Sequence, residues 1–156
     1  MFPYKKIIFV CKSNSFSSIM AEAILNHLQE NLPEDKRIEV ISRGIIVLFP
    51  EPINPKAVTI AENNNITLTR ETSRQLEKED ITPDSLVITM NDTEKKMIEE
   101  RYPGIMNLYR LRDFSGEGGE VIESYGGDIH EYQTLFEHLD LMIKLMIEKI
   151  WAKEDQ

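Results

Sequence analysis

Lys6-Ile7-Ile8-Phe9-Val10-Cys11, then Lys12-Ser13-Asn14-Ser15-Phe16-Ser17-Ser18, then Ile19-Met20-Ala21-Glu22-Ala23-Ile24-Leu25-Asn26-His27-Leu28 form the stretch from which the rest of the chain can be read. After Lys6 the first segment is apolar without a break, the composition of a strand buried on both faces. The last segment carries apolar residues at helical spacing. The polar run between them joins a strand to a helix, so its backbone N–H groups can turn toward one point. The helix adds the unpaired N–H groups of its first turn and the positive end of its dipole. A loop of that kind is an anion site. Cys11 stands at its start, where such a field lowers a thiol below its ordinary pKa of about 8.5 and leaves a nucleophilic thiolate.

Outward from this unit, strand and helix alternate. The helix after the loop should end near Asn31-Leu32-Pro33, because proline disfavours helix in the residue before it. Residues 37–41 read as a second strand, and Pro50, Pro52 and Pro55 mark an irregular loop. Asn54-Pro55 is a cap followed by a favoured first position, and opens a helix through Glu62. A short helix is expected from Ser73-Arg74-Gln75-Leu76. Residues 85–90 read as a buried third strand. Asp92 is the expected cap of a helix over 93–102, and residues 105–111 form a fourth strand. Residues 112–127, rich in glycine and acid, read as a long surface loop. A long helix over 129–151 closes the chain, with Leu135, Leu139, Met142, Leu145, Met146 and Ile150 on its apolar stripe. The pattern implies an α/β protein: a single three-layer domain over 1–156 with a central four-stranded parallel sheet. Ligands bind such sheets beyond the carboxyl ends of the strands, which again points to the Cys11 loop.

Composition narrows the functions. The 156 residues carry a formal net charge of −9, which repels nucleic-acid backbones, and the pairs Lys5-Lys6 and Lys95-Lys96 make no basic patch. The apolar segments are too short to cross a membrane, and the first of them is too short for a signal peptide, so a cytoplasmic protein is expected. The chain has 1 cysteine, so no internal disulfide or cysteine–histidine zinc site can form. A thiol cascade, which needs a second cysteine, is excluded for the chain acting alone. His27, His130 and His138 have no metal spacing, and no cofactor is expected. Taken alone, a cysteine at a strand end is more often an inert small hydrophobe, and a serine run is ordinarily a turn.

The residues themselves resemble the low-molecular-weight protein tyrosine phosphatases. That family opens with a strand, then Cys, five residues, Arg, Ser, Pro, and a helix beginning Met-Ala-Glu. Here Cys11, Asn14, Ser18 and Met20-Ala21-Glu22 fall at the matching positions, and Ser73-Arg74-Gln75-Leu76, Gly126-Gly127, Tyr132 and Phe136 follow in family order. The resemblance implies the family fold and a phosphate-binding loop made of Lys12, Ser13, Asn14, Ser15, Phe16, Ser17 and Ser18. It implies Cys11 as nucleophile, supported by the Ser18 hydroxyl, Glu123 at the place of the general acid, and Tyr125 as a wall of the substrate cleft. The implied ligand is a phosphorylated protein bearing phosphotyrosine, or a small anion.

The departures bear on the chemistry. The family's loop arginine falls on Ser17, which can neither carry charge nor grip two phosphate oxygens. Losing such a clamp in phosphoryl transfer costs roughly 10³–10⁵ in rate, by analogy with arginine fingers. The family's Asp-Pro general-acid motif becomes Glu123-Ser124, a longer side chain without the stiffening proline. Lys12, Arg43 and Arg112 are the cations whose sequence positions make them candidates to replace the missing charge. The expectation is a pseudophosphatase with absent or very weak phosphomonoesterase activity that keeps its anion loop. The alternative is an active tyrosine phosphatase using Cys11, Glu123 and a substitute cation. Arsenate reduction ranks last, because of the single cysteine.

Overall fold

The computed structural model describes residues 4–116, 121 and 127–154, with side chains as far as Ile150. Strand β1 (Lys6–Cys11) leads into helix α1 (Ser17–Gln29), followed by β2 (Glu39–Gly44), α2 (Pro55–Asn63), β3 (Ser85–Thr89), α3 (Asp92–Arg101), β4 (Leu108–Arg110), α4 (Leu111–Ser115) and α5 (Ile129–Glu154). The strands form one sheet in the order β2-β1-β3-β4. Every pairing is parallel, with Ile8 opposite both Ile41 and Val87. The two central strands, β1 and β3, are buried along almost their whole length, as their unbroken apolar sequences require.

Successive residues of a strand face opposite sides of the sheet, and the core divides accordingly. Ile7 and Phe9 of β1, with Leu86 and Ile88 of β3, face the larger cluster, where Met20, Ile24, Leu139, Met142 and Met146 pack from α1 and α5. Ile8, Val10 and Val87 face the smaller one, closed by Ile45, Leu76 and Ile98 of α3. This is the expected three-layer α/β domain with a central four-stranded parallel sheet. Among the described residues no helix is long and apolar enough to cross a membrane.

Several local expectations are corrected. The second strand begins at Glu39 rather than at residue 37. Arg37 instead turns its guanidinium onto the carbonyls of Glu30 and Leu32 just past α1, while buried Gln29 exchanges hydrogen bonds with the main chain of Ile38. Residues 73–76 form no helix: Gly44 donates to Arg74 O at 2.7 Å, and Leu76 N–H donates back to Gly44 O at 2.8 Å. The open edge of β2 offers those groups, and pairing across the fold overrides local preference. Asn91, not Asp92, caps α3, its side chain accepting from Glu94 N–H. The expected fourth strand over 105–111 is only Leu108–Arg110, and the supposed loop after it begins with α4, whose first turn is held by Asp113 bonded to Arg110.

Candidate functional site

The loop after β1 lies at the carboxyl ends of β1 and β3, beside the first turn of α1. Cys11 pairs with Gly44 across β2 as the last residue of its strand. Its thiol is 2% exposed and lies 2.9 Å from the Ser18 hydroxyl. The Asn14 N–H also donates to Cys11 Sγ, at 3.3 Å. The Asn14 N–H is thus a donor aimed at the sulfur, while in the contact with Ser18 either group can donate. Among the described residues, the N–H groups of Ser13, Ser15 and Phe16 donate to no other group in the chain, and α1 begins immediately after them. Loop amides without a chain partner, beside a helix N-terminus and a cysteine sulfur, are the kind of groups from which anion sites are built.

Asn14 holds this shape. It is fully buried and sits in the left-handed region at φ 56°, which asparagine tolerates better than most residues. Its side-chain amide donates to Ser18 Oγ at 2.8 Å and to Ser42 Oγ at 3.1 Å. Its carbonyl accepts from Arg70 Nη2 at 3.0 Å and from Arg74 N–H at 2.9 Å. Ser42 belongs to β2, so the loop is tied to the neighbouring strand. The close approach also needs Gly44: a Cβ there would lie 2.5 Å from Val47 Cγ2 and 3.0 Å from the Ser13 carbonyl carbon. On the other side, buried Glu94 accepts from Lys12 N–H at 2.9 Å and from Met90 N–H at 3.1 Å, joining the loop to the end of β3.

The sequence-derived candidates fare differently. Cys11, Asn14 and Ser18 are brought together. Ser13 and Ser15 bond to each other through their hydroxyls at 2.8 Å. Phe16 offers only its main chain, because its ring is buried and packs on Tyr132 of α5 with centroids 4.6 Å apart. Ser17, at the arginine's position, is 1% exposed. Glu123 and Tyr125 lie outside the described residues, whose nearest members are anchored: Val121 exchanges hydrogen bonds with Met90 and Asn91, and Lys56 Nζ donates to Gly127 O. Of the candidate replacement cations, Arg43 is committed to Asp80 at 3.1 Å and to Ser42 O, while Lys12 and Arg112 are exposed.

Sequence reasoning missed Arg70, Ser42 and Glu94. Nothing in Thr67-Leu68-Thr69-Arg70 marks the arginine, yet its guanidinium reaches the Asn14 side chain of the loop. Its side chain is 17% exposed, bonds to Asn14 and Ser42, and lies 3.8 Å from the buried Glu22 carboxylate of α1. Burial holds Arg70 below its ordinary pKa, with Glu22 opposing that shift and Arg43 and Arg74 adding to it. Leu48 and Phe49 were also missed. They stand exposed on the segment after β2, whose start is bonded to the loop through Ile45 and Ile46.

A buried cysteine that opens a strand-to-helix loop at the carboxyl edge of a parallel sheet places the chain among the α/β folds whose ligand sites lie at that edge. Comparison with known proteins narrows the class. The model of the low molecular weight phosphotyrosine protein phosphatase family matches residues 6–156, and the chain belongs to that family. A protein-arginine-phosphatase of Geobacillus stearothermophilus is 31% identical over 154 residues, covering 97% of this chain and 99% of its own. A low molecular weight protein-tyrosine-phosphatase, PtpB, of Staphylococcus haemolyticus is 28% identical over 138 residues, or 88% and 94% of the two chains. The solved structure of YwlE arginine phosphatase from Geobacillus stearothermophilus superposes with a TM-score of 0.85 at 30% identity, covering 97% of this chain and 96% of that one.

Proposed function

We propose that the chain is a pseudophosphatase of this family: a protein that holds a phosphoryl group or small anion in the Cys11 loop and hydrolyses phosphomonoesters very slowly or not at all. One observation carries the reading. The framework that shapes the cradle is complete, from Cys11 through Ser18 and Asn14 to Ser42, while the position that should point a guanidinium at the phosphate is a buried serine. Binding needs the amides and the helix tip, whereas turnover needs charge placed where it develops in the transition state. The phosphoryl group would be carried by a protein side chain, tyrosine by the family's description or arginine by the name of the Geobacillus relative.

A second reading is favoured by the sulfur itself. A backbone donor at Cys11 and a hydroxyl that can become a second one would support a thiolate, which suits an active phosphatase in which Cys11 attacks phosphorus, Glu123 protonates the leaving oxygen, and water then hydrolyses the phosphocysteine. Hydrolysis of an aryl phosphate by the purified protein, beside Cys11→Ala, separates the two. The pseudophosphatase reading expects indistinguishable rates, together with phosphate-induced amide shifts at residues 13, 15 and 16. Cys11-dependent turnover at the rate of ordinary phosphatases refutes it.

A further inference from the structure

We propose that Arg70 is a positioning residue of the Cys11 loop, whose buried positive charge, acting through Asn14, keeps the cradle in its anion-binding shape and favours negative charge at the sulfur. The proposal rests on the anion-loop reading above and adds the source of the charge. Nη2 of Arg70 donates to Asn14 Oδ1 at 3.0 Å and to Ser42 O at 3.1 Å, and it also bonds Ser42 Oγ. The Asn14 side chain passes the orientation on: its carbonyl faces the guanidinium, so its amide must face Ser18 Oγ, which touches Cys11 Sγ. The bonds from Arg70 to Asn14 and from Asn14 to Ser18 run in one sense, and the Ser18 hydroxyl extends this chain of bonds to the sulfur when it donates to a thiolate. A cation placed there strengthens every donor along it.

Other charged groups near the loop act differently. Glu22 lies 3.8 Å from Arg70 and offsets part of its charge, and Thr69 Oγ1 donates to the same carboxylate. Glu94 reaches the loop from α3 through Lys12 N–H and opposes an anion. Arg43 is paired with Asp80, Arg74 contributes its backbone N–H, and the Lys12 side chain is exposed. Among the described residues Arg70 is the guanidinium bonded to the Asn14 side chain, whereas Arg43 meets the framework only at Ser42 O.

Because the chain has 1 cysteine, the thiolate part of the ultraviolet absorbance followed against pH is that of Cys11, once the ionisation of the 5 tyrosines is subtracted with Cys11→Ala. The comparison uses the unaltered protein, Arg70→Gln, Arg70→Lys and Glu22→Gln. Arg70→Gln keeps hydrogen-bonding ability without charge and should raise the thiol midpoint by about one pH unit, the lower end of the range for an adjacent opposite charge. Arg70→Lys should fall closer to the unaltered protein, and Glu22→Gln should move the midpoint down. A merely structural arginine would not sort the variants by charge. An unshifted curve in Arg70→Gln overturns the proposal. Should that variant fail to fold, Glu22→Gln decides, and a midpoint unmoved or raised there overturns it. Titration of the unaltered protein with inorganic phosphate keeps the two readings apart: absence of binding defeats the anion loop but leaves the thiol comparison standing.

Discussion

Replacing Asn14 with alanine removes the side chain on which the loop is built, and its cost can be worked from the bonds that side chain makes. Two neutral bonds, to Ser18 and Ser42, and one from Arg74 N–H are worth about 1 kcal/mol each, and the bond from the Arg70 guanidinium about 1.5–3 kcal/mol. Holding alanine near φ 56° adds about 1 kcal/mol or more. These terms do not add fully, since Arg70 keeps its bonds to Ser42 and water can enter the space left behind. The expected loss is about 4 kcal/mol, a large share of the roughly 5–15 kcal/mol that holds a domain folded. Urea unfolding should show it as a midpoint lowered by about 2 M, for a slope near 2 kcal/mol/M. A loss below about 1 kcal/mol, the size of a single ordinary hydrogen bond, would refute the view that Asn14 organises the loop.

Ser17→Arg restores a guanidinium at the cradle and should raise Cys11-dependent aryl phosphate turnover by about 10³–10⁵-fold, measured beside the same variant carrying Cys11→Ala. Phe16→Ala should cost about 3–5 kcal/mol in chemical denaturation, because the ring is fully buried against Tyr132; a near-neutral result would mean that the loop is not pinned to α5. Asp113 gives a pH dependence. Burial works to raise its pKa, but hydrogen bonds and charge from Arg110 outweigh that and hold it below the usual value. A depressed carboxylate contributes stability above its unfolded pKa of about 3.9 and loses it as pH falls through the folded value. Asp113→Asn should therefore destabilise slightly at neutral pH, by about 0.5 kcal/mol for so exposed a pair, and the difference should vanish in acid.

The sheet was legible because its central strands advertise themselves. Residues 7–10 and 86–88 are continuous apolar runs that suit a strand covered on both faces, and the helices between carry their own periodicity. The edges were harder to read. Ser42 and Arg43 look like the end of a strand, yet they continue β2, because its polar side chains serve the loop and Asp80. Residues 73–76 have helical composition but pair with Gly44, a contact about 30 positions away that no local pattern encodes. In the site, Cys11, Asn14 and Ser18 are adjacent in sequence and could be read as one motif. Arg70 is 56 positions from Asn14, and only folding shows that they touch. Glu94 reads as an acidic residue favoured at a helix start; its hold on Lys12 N–H depends on α3 lying beside the loop.

The central claim separates holding a phosphoryl group from cleaving it, so the most direct measurement follows both in one sample. Phosphorus NMR of the protein in excess over an aryl phosphate should show a bound ester, displaced by inorganic phosphate, with release no faster than in Cys11→Ala. Rapid release of phosphate that requires Cys11, or an ester spectrum identical with and without the protein, would contradict it.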